Sequence, residues 1–160
     1  MLNVGDLAPE FTARTDEGTT VSLKDFSGKK VVLYFYPKDD TAGCTREACS
    51  FRDHYDAVAG WGAVILGVSA DGVESHDAFK RKFSLPFPLL ADPDKMIITA
   101  YGVWKERTAS DGRTFMGIER TTFIIDERGR ITKIFPKVKV DGHTDEVLAA
   151  LAEPASTARP

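Results

Sequence analysis

"VVLYFYPKDDTAGCTREACSFRD", residues 31 to 53, reads as a strand, a turn and a helix in succession. The run from Val31 to Tyr36 is continuously apolar, as in a strand buried on both faces. Pro37 ends it, because proline cannot donate to a sheet ladder. Beyond the turn, Ala48, Phe51, Tyr55 and Val58 recur at helical spacing, which predicts one amphipathic helix over about residues 42–59.

Working outward, the pattern repeats. "GAVILGVSA" (62–70) is a second buried strand, and residues 73–83 form a helix carrying Ala78, Phe79 and Phe83. "PFPLLAD" (86–92) leads to Asp92 as a helix N-cap, with Pro93 at the first helical position and Gly102 as the stop. "RTTFIID" (120–126) and "RITKIFPKV" (130–138) flank a hairpin turn at Glu127–Gly129, and residues 143–152 make a last helix. Toward the N-terminus, "EFTART" (10–15) and "TTVSL" (19–23) flank "DEG" as another hairpin. Strands alternating with helices and closing on a hairpin and a helix imply an α/β protein: a central mixed sheet covered by helices on both faces, of the thioredoxin-like type.

A chain of 160 residues, 42% of them hydrophobic, suits one domain, here residues 1–152, with 153–160 as a frayed tail. Its 21 basic and 24 acidic residues leave a net charge of −3 without a long block of either sign, which argues against nucleic acid. The opening "MLNVGDLAPEF" lacks the basic and apolar regions of a secretory signal, and no stretch approaches the ~20 apolar residues of a membrane span. The expected location is the cytoplasm, without membrane contact. In that reducing compartment two cysteines point to catalysis or metal rather than a permanent staple.

Metal is disfavoured, since His54, His76 and His143 are scattered without zinc-ligand spacing. His54 is expected as an exposed helical histidine, and His76 and His143 as ordinary residues at helix starts. Cys44 and Cys49 could be small apolar fillers, but their surroundings say more. With Thr41 as N-cap, Cys44 falls at the third helical position, where unpaired backbone N–H groups and the positive end of the helix dipole favour a thiolate. Cys44 also shares the stripe of Ala48 and Phe51. Cys49 lies five residues on, roughly 8.7 Å away between Cα atoms on a regular helix. A disulfide needs less than about 7 Å, so a Cys44–Cys49 bond requires unwinding and would be reversible. The cysteines lean towards a reactive thiol with a resolving partner.

These residues resemble a family. "YFYPKDDTAGCTREACSFRD" is similar to the Q-type peroxiredoxins, also called bacterioferritin comigratory proteins, through the pattern Pro-x-x-x-Thr-x-x-Cys (Pro37, Thr41, Cys44) and a second cysteine five residues on. The likeness continues through "VGDLAPEFT" (4–12), "VILGVSADGVESH" (64–76), "LPFPLLADPDK" (85–95), "GIERTTFIID" (117–126) and "PKVKVDGH" (136–143). It implies a thioredoxin fold with an N-terminal extension and a thiol peroxidase acting on hydrogen peroxide and organic hydroperoxides, with no cofactor. Cys44 matches the peroxidatic cysteine, Cys49 the resolving one, Thr41 and Arg120 the activating residues, and Pro37 the shielding proline. The implied cycle runs through a Cys44 sulfenic acid and an intramolecular disulfide recycled by thioredoxin or a similar dithiol. Ala42 departs from the family, where many relatives carry proline.

A lowered thiol pKa cannot explain such an enzyme. For any thiol, a drop from ~8.5 to ~6 raises the thiolate fraction at neutral pH about thirtyfold but cuts intrinsic nucleophilicity about tenfold. The remainder must come from donors fixed around the breaking O–O bond: Thr41 Oγ1, the backbone N–H groups of Gly43 and Cys44, and the Arg120 guanidinium. Glu47 would oppose a thiolate unless paired, and is expected at the surface or behind the site. Trp61 and Trp104 are expected to pack. Two other readings compete: a disulfide oxidoreductase, which would normally use C-x-x-C, and a redox sensor that passes oxidation to a partner. Resolution within one chain needs no dimer, so a monomer is expected.

Overall fold

The computed structural model describes residues 1–153. The N-terminal hairpin pairs β1 (Thr12–Thr15) with β2 (Thr20–Ser22), and a short 3-10 turn at Leu23–Phe26 leads to β3 (Lys30–Phe35). Helices α1 (Ala42–Asp53) and α2 (Tyr55–Gly60) precede β4 (Ala63–Ser69). Then come α3 (Val73–Phe83), β5 (Leu89–Ala91) and α4 (Met96–Ala100). A separate ribbon of β6 (Trp104–Thr108) and β7 (Thr114–Ile118) follows. The chain closes with β8 (Thr121–Ile125), β9 (Ile131–Phe135) and α5 (His143–Ala152). Seven strands form one mixed sheet in the order β2-β1-β5-β4-β3-β8-β9.

The apolar run that starts the reading lies at the sheet's centre. β3 is parallel to β4 and antiparallel to β8. Its side chains alternate: Val31, Leu33 and Phe35 enter one apolar cluster, Val32 and Tyr34 the other. On the second face the cluster takes Ala48 and Phe51 from α1, Val58 from α2, Phe79 from α3 and Val147 and Leu151 from α5. On the first it takes Ile97 and Ile98 of α4, with Leu23 and Phe11 beside the hairpin. This is the expected thioredoxin-like sandwich with helices on both faces. The N-terminal hairpin joins the sheet through antiparallel pairing of β1 with β5.

Several expectations need correction. The helix over 42–59 is two helices, broken at His54 (φ −109°, ψ 12°), although Phe51 and Val58 are buried on one apolar stripe as their spacing implies. His54 is half-buried rather than exposed, its Nδ1 lying 2.8 Å from the Ser50 carbonyl. Asp92 is not an N-cap. α4 starts at Met96 behind Lys95, and the Asp92 carboxylate accepts from the Ile98 N–H at 2.8 Å, fastening the turn instead of opening a helix at Pro93. Gly102 does follow the helix end, in the left-handed region (φ +72°). Trp61 is 47% exposed and not a packing residue, whereas Trp104 packs partly against the core. The β6–β7 ribbon has no counterpart in the sequence reading. Of the expected tail, residues 154–160 lie outside the described residues.

Candidate active site

The end of β3 and the start of α1 bring the site together. Thr41 holds the N-cap position in extended conformation (φ −96°, ψ 158°), so Ala42, Gly43 and Cys44 are the first three helical residues. The Thr41 hydroxyl is turned away from the helix, donating to the Lys38 carbonyl at 2.9 Å, while the Thr41 carbonyl accepts the first helical bond from Thr45 N–H at 2.8 Å. Cys44 is only 2% exposed, on the buried stripe with Ala48 and Phe51. Cys49 is half-buried, and both thiols are free. Because α1 is unbroken across residues 42–53, the two sulfurs cannot join without unwinding it.

Arg120 arrives from far along the chain. Pairing of Phe35 with Thr121 sets β8 beside β3, and Arg120 stands one residue before that pair, with its carbonyl accepting from Val138 N–H at 2.9 Å. Its guanidinium forks: Nη2 donates to Cys44 Sγ at 3.4 Å and Nη1 to Glu47 Oε1 at 2.7 Å. A Cβ on Gly43 would lie 3.2 Å from Arg120 Nη2, so Gly43 leaves room for this arginine itself. Pro37 is half-buried next to this turn. The structure thus gathers Cys44, Gly43 and Arg120 around one sulfur, with Thr41 at the helix mouth and Cys49 apart.

Of the two places expected for Glu47, the structure shows the one behind the site, paired, and not the surface. Glu47 is 2% exposed and forms an ion pair with Arg120, whose side chain is 16% exposed. Burial pushes its carboxyl up to about 7, against the opposing pull of the Arg120 charge and hydrogen bond. Among the described residues Glu47 Oε2 has no hydrogen-bond partner. Burial alone would weaken the Arg120 cation, but Glu47 and Cys44 outweigh it and raise its pKa, so the guanidinium stays charged. Its spacing from Cys44 was the available signal: three residues on a helix put both on one face. The sequence separation of 73 between Glu47 and Arg120 hid the partner.

A free thiol sheltered at a helix N-terminus of a thioredoxin-like sandwich, with an arginine on its sulfur, defines a thiol-based redox enzyme. Residues 4–134 match the AhpC/TSA family. The chain is 48% identical over 152 residues to peroxiredoxin Bcp of Bacillus subtilis, covering 95% of this chain and 96% of that one. Among solved structures it is similar to a PrxQ mutant of Xylella fastidiosa, with a TM-score of 0.89 and 37% identity over 94% of this chain and 96% of the other. It is also similar to the bacterioferritin comigratory protein of Xanthomonas campestris, solved as a trapped intermediate/ligand complex bearing on its alkyl peroxide reduction activity. There the TM-score is 0.83 and the identity 42%, over 88% of this chain and 89% of the other. The chain belongs to the AhpC/TSA family of peroxiredoxins, in its Q-type branch. It is a thiol peroxidase, reducing hydroperoxides at the expense of a thiol reductant.

Proposed function

We propose that Cys44 is the peroxidatic residue and Cys49 the resolving one, within a single chain. The Cys44 thiolate attacks an oxygen of R–O–O–H, the O–O bond breaks, and the leaving R–O⁻ takes up a proton to give R–OH. The sulfenic acid on Cys44 then condenses with the Cys49 thiol, losing water and forming a disulfide. A dithiol reductant, thioredoxin or a relative, restores both thiols and is itself oxidised to a disulfide. The observation that carries this reading is the Arg120 guanidinium shared between Cys44 Sγ and Glu47. A fixed cation at the sulfur is well placed to stabilise charge on the oxygens of a peroxide as they separate. The backbone N–H groups of Gly43 and Cys44 complete the donor set, the Thr41 hydroxyl, whose own proton goes to the Lys38 carbonyl, is left to accept from a hydroperoxide O–H, and Pro37 shields the thiol.

The substrate range is hydrogen peroxide and organic hydroperoxides, the latter supported by the alkyl peroxide reduction of the Xanthomonas campestris relative. The burial of Cys44 speaks against a protein disulfide oxidoreductase, whose attacking sulfur must meet a partner chain. The enzyme works as a monomer in the cytoplasm, its domain spanning residues 1–152. Among the described residues no helix is long and apolar enough to cross a membrane.

The test is peptide mapping and intact mass after one equivalent of hydrogen peroxide. The parent should show an intramolecular Cys44–Cys49 disulfide. Cys49→Ser should accumulate a sulfenic or overoxidised Cys44, and Cys44→Ser should not react. A parent that stays reduced while a simple thiol oxidises would remove Cys44 from this role.

A further inference from the structure

Asp39 lies two residues after Pro37 and two before Thr41, and the reaction above gives it nothing to do. Both of its carboxylate oxygens and its backbone N–H are nevertheless engaged. Tyr36 Oη donates to Oδ1 at 2.6 Å, Ser75 Oγ donates to Oδ2 at 2.8 Å, and His76 Nδ1 lies 2.7 Å from the same Oδ2. The Asp39 N–H donates to Asp71 Oδ2 at 2.8 Å, which also accepts from Ser69 Oγ at 2.6 Å. His76 is fully buried, and its Nε2 donates to the Leu90 carbonyl at 2.9 Å. Burial first, then Tyr34 and Asp39, push the Tyr36 phenol well above its usual range, so it remains an O–H donor.

The carboxylates of Asp39 and Asp71 and the His76 ring fall within 4.8 Å of one another, a grouping that could suggest a cation. The donors around them argue otherwise: O–H and N–H groups already point at the oxygens a metal would need. The cluster is a frame. It ties the loop after β3 to the end of β4 through Ser69, to α3 through Ser75 and His76, and to β5 through Leu90. The next residue, Asp40, adopts the left-handed region (φ +59°), and its carboxylate accepts from Lys82 Nζ of α3 at 2.9 and 3.2 Å.

None of these partners belongs to α1. The far end of α1 has its own fastenings: Phe51 is fully buried, Ser50 Oγ and Thr144 Oγ1 are 2.6 Å apart, and Arg52 Nη1 donates to the Phe83 carbonyl at 2.7 Å. The stretch that must unwind for a Cys44–Cys49 bond thus runs between two independent anchors.

We propose that the hydrogen-bonded frame of Asp39, Asp71, Ser75 and His76 is the positioning element of the peroxide site, holding residues 37–41 in place while α1 unwinds and rewinds beside them. The proposal rests on the reading of Cys44 as the attacking thiol. Its residues touch no substrate. They act by fixing where Pro37 and Thr41 stand relative to Cys44, and displacement of a reacting geometry by about 1 Å can cost about a hundredfold in rate.

The experiment compares two rates on the same thiol in Asp71→Ala, Ser75→Ala, His76→Asn and His76→Gln: oxidation of Cys44 by hydrogen peroxide and its alkylation by iodoacetamide at matched pH. Alkylation needs the thiolate but no peroxide-shaped donor set. Folded variants should lose about tenfold or more in the peroxide rate with alkylation within about twofold of the parent. His76→Asn, whose amide can still reach Asp39, should retain more than His76→Gln. Ser75 is exposed, so Ser75→Ala keeps the test open if changes at buried His76 unfold the protein. A parental ratio of the two rates in folded variants, or parallel loss of both, would overturn the proposal. So would loss of Asp39 amide protection from hydrogen exchange on disulfide formation. If the parent's own Cys44 fails to react with peroxide, the earlier assignment fails instead.

Discussion

At the scale of single residues, the site is governed by a buried triangle of sulfur, guanidinium and carboxylate. Arg120 can serve Cys44 because Glu47 fixes its orientation, and Gly43 leaves the space through which it passes. This arrangement has a pH signature. The Glu47 carboxyl titrates near 7 in the folded protein against an ordinary 4.5, so between those values the folded state holds a proton that the unfolded chain has released. Stability therefore falls as pH rises through that window, by up to about 3 kcal/mol, and levels off above it. In Glu47→Gln that contribution should vanish: urea unfolding at pH 5 and pH 7.5 should show a smaller loss for the variant than for the parent. Equal losses would mean that the carboxyl titrates normally. Cys44 and Thr41 were legible from spacing alone, since helix position dictates which N–H groups lack partners. Arg120 became legible only through family resemblance, because a strand-end arginine looks alike whether it faces solvent or a sulfur 76 residues away.

At the scale of elements, the proposed Cys44–Cys49 disulfide would require α1, continuous over Ala42–Asp53, to come apart between its cysteines. Ser50, Phe51 and Arg52 are tied to α5, the core and the end of α3, while the first turns are held by the buried side chains of Cys44 and Ala48 and by the Arg120 contacts to Cys44 and Glu47. Residues 42–49 should lose protection from hydrogen exchange in the disulfide form, whereas the amides of 51–53 change less. Identical protection of 42–49 in both redox forms would contradict unwinding. The period of α1 could be read along the sequence, but its break at His54 could not. Tyr55 and Val58 continue the same stripe, so periodicity runs straight across a backbone interruption that the His54–Ser50 contact accompanies. The β6–β7 ribbon escaped for the opposite reason: Thr114, Phe115 and Met116 are all exposed, so no alternation marks the strand, and Asp111–Gly112 was its one turn signal.

At the scale of the whole molecule, stability lies in the two clusters on either side of the seven-stranded sheet and not in the ribbon. Leu66 is fully buried in the first cluster, while Phe115 is 50% exposed. Leu66→Ala should cost about 2–5 kcal/mol and lower Tm accordingly, whereas Phe115→Ser should change stability by less than about 1 kcal/mol. Comparable losses in denaturant titrations would place the ribbon within the cooperative core. The sheet's heart was visible early, since Val31–Tyr36 and Ala63–Ser69 are apolar runs and only a strand covered on both faces accommodates them. What the sequence by itself determined was what local spacing carries: the alternation of strands and helices, the helix-mouth position of Cys44, and a Cys44–Cys49 separation that no intact helix can bridge. Tertiary structure alone decided which distant groups meet: Arg120 on Cys44, Glu47 buried as its counterion, and Asp39 locked to His76 and Asp71. Those meetings depend on strand register and helix docking across tens of residues, and a local pattern cannot encode which charges a fold will bury together.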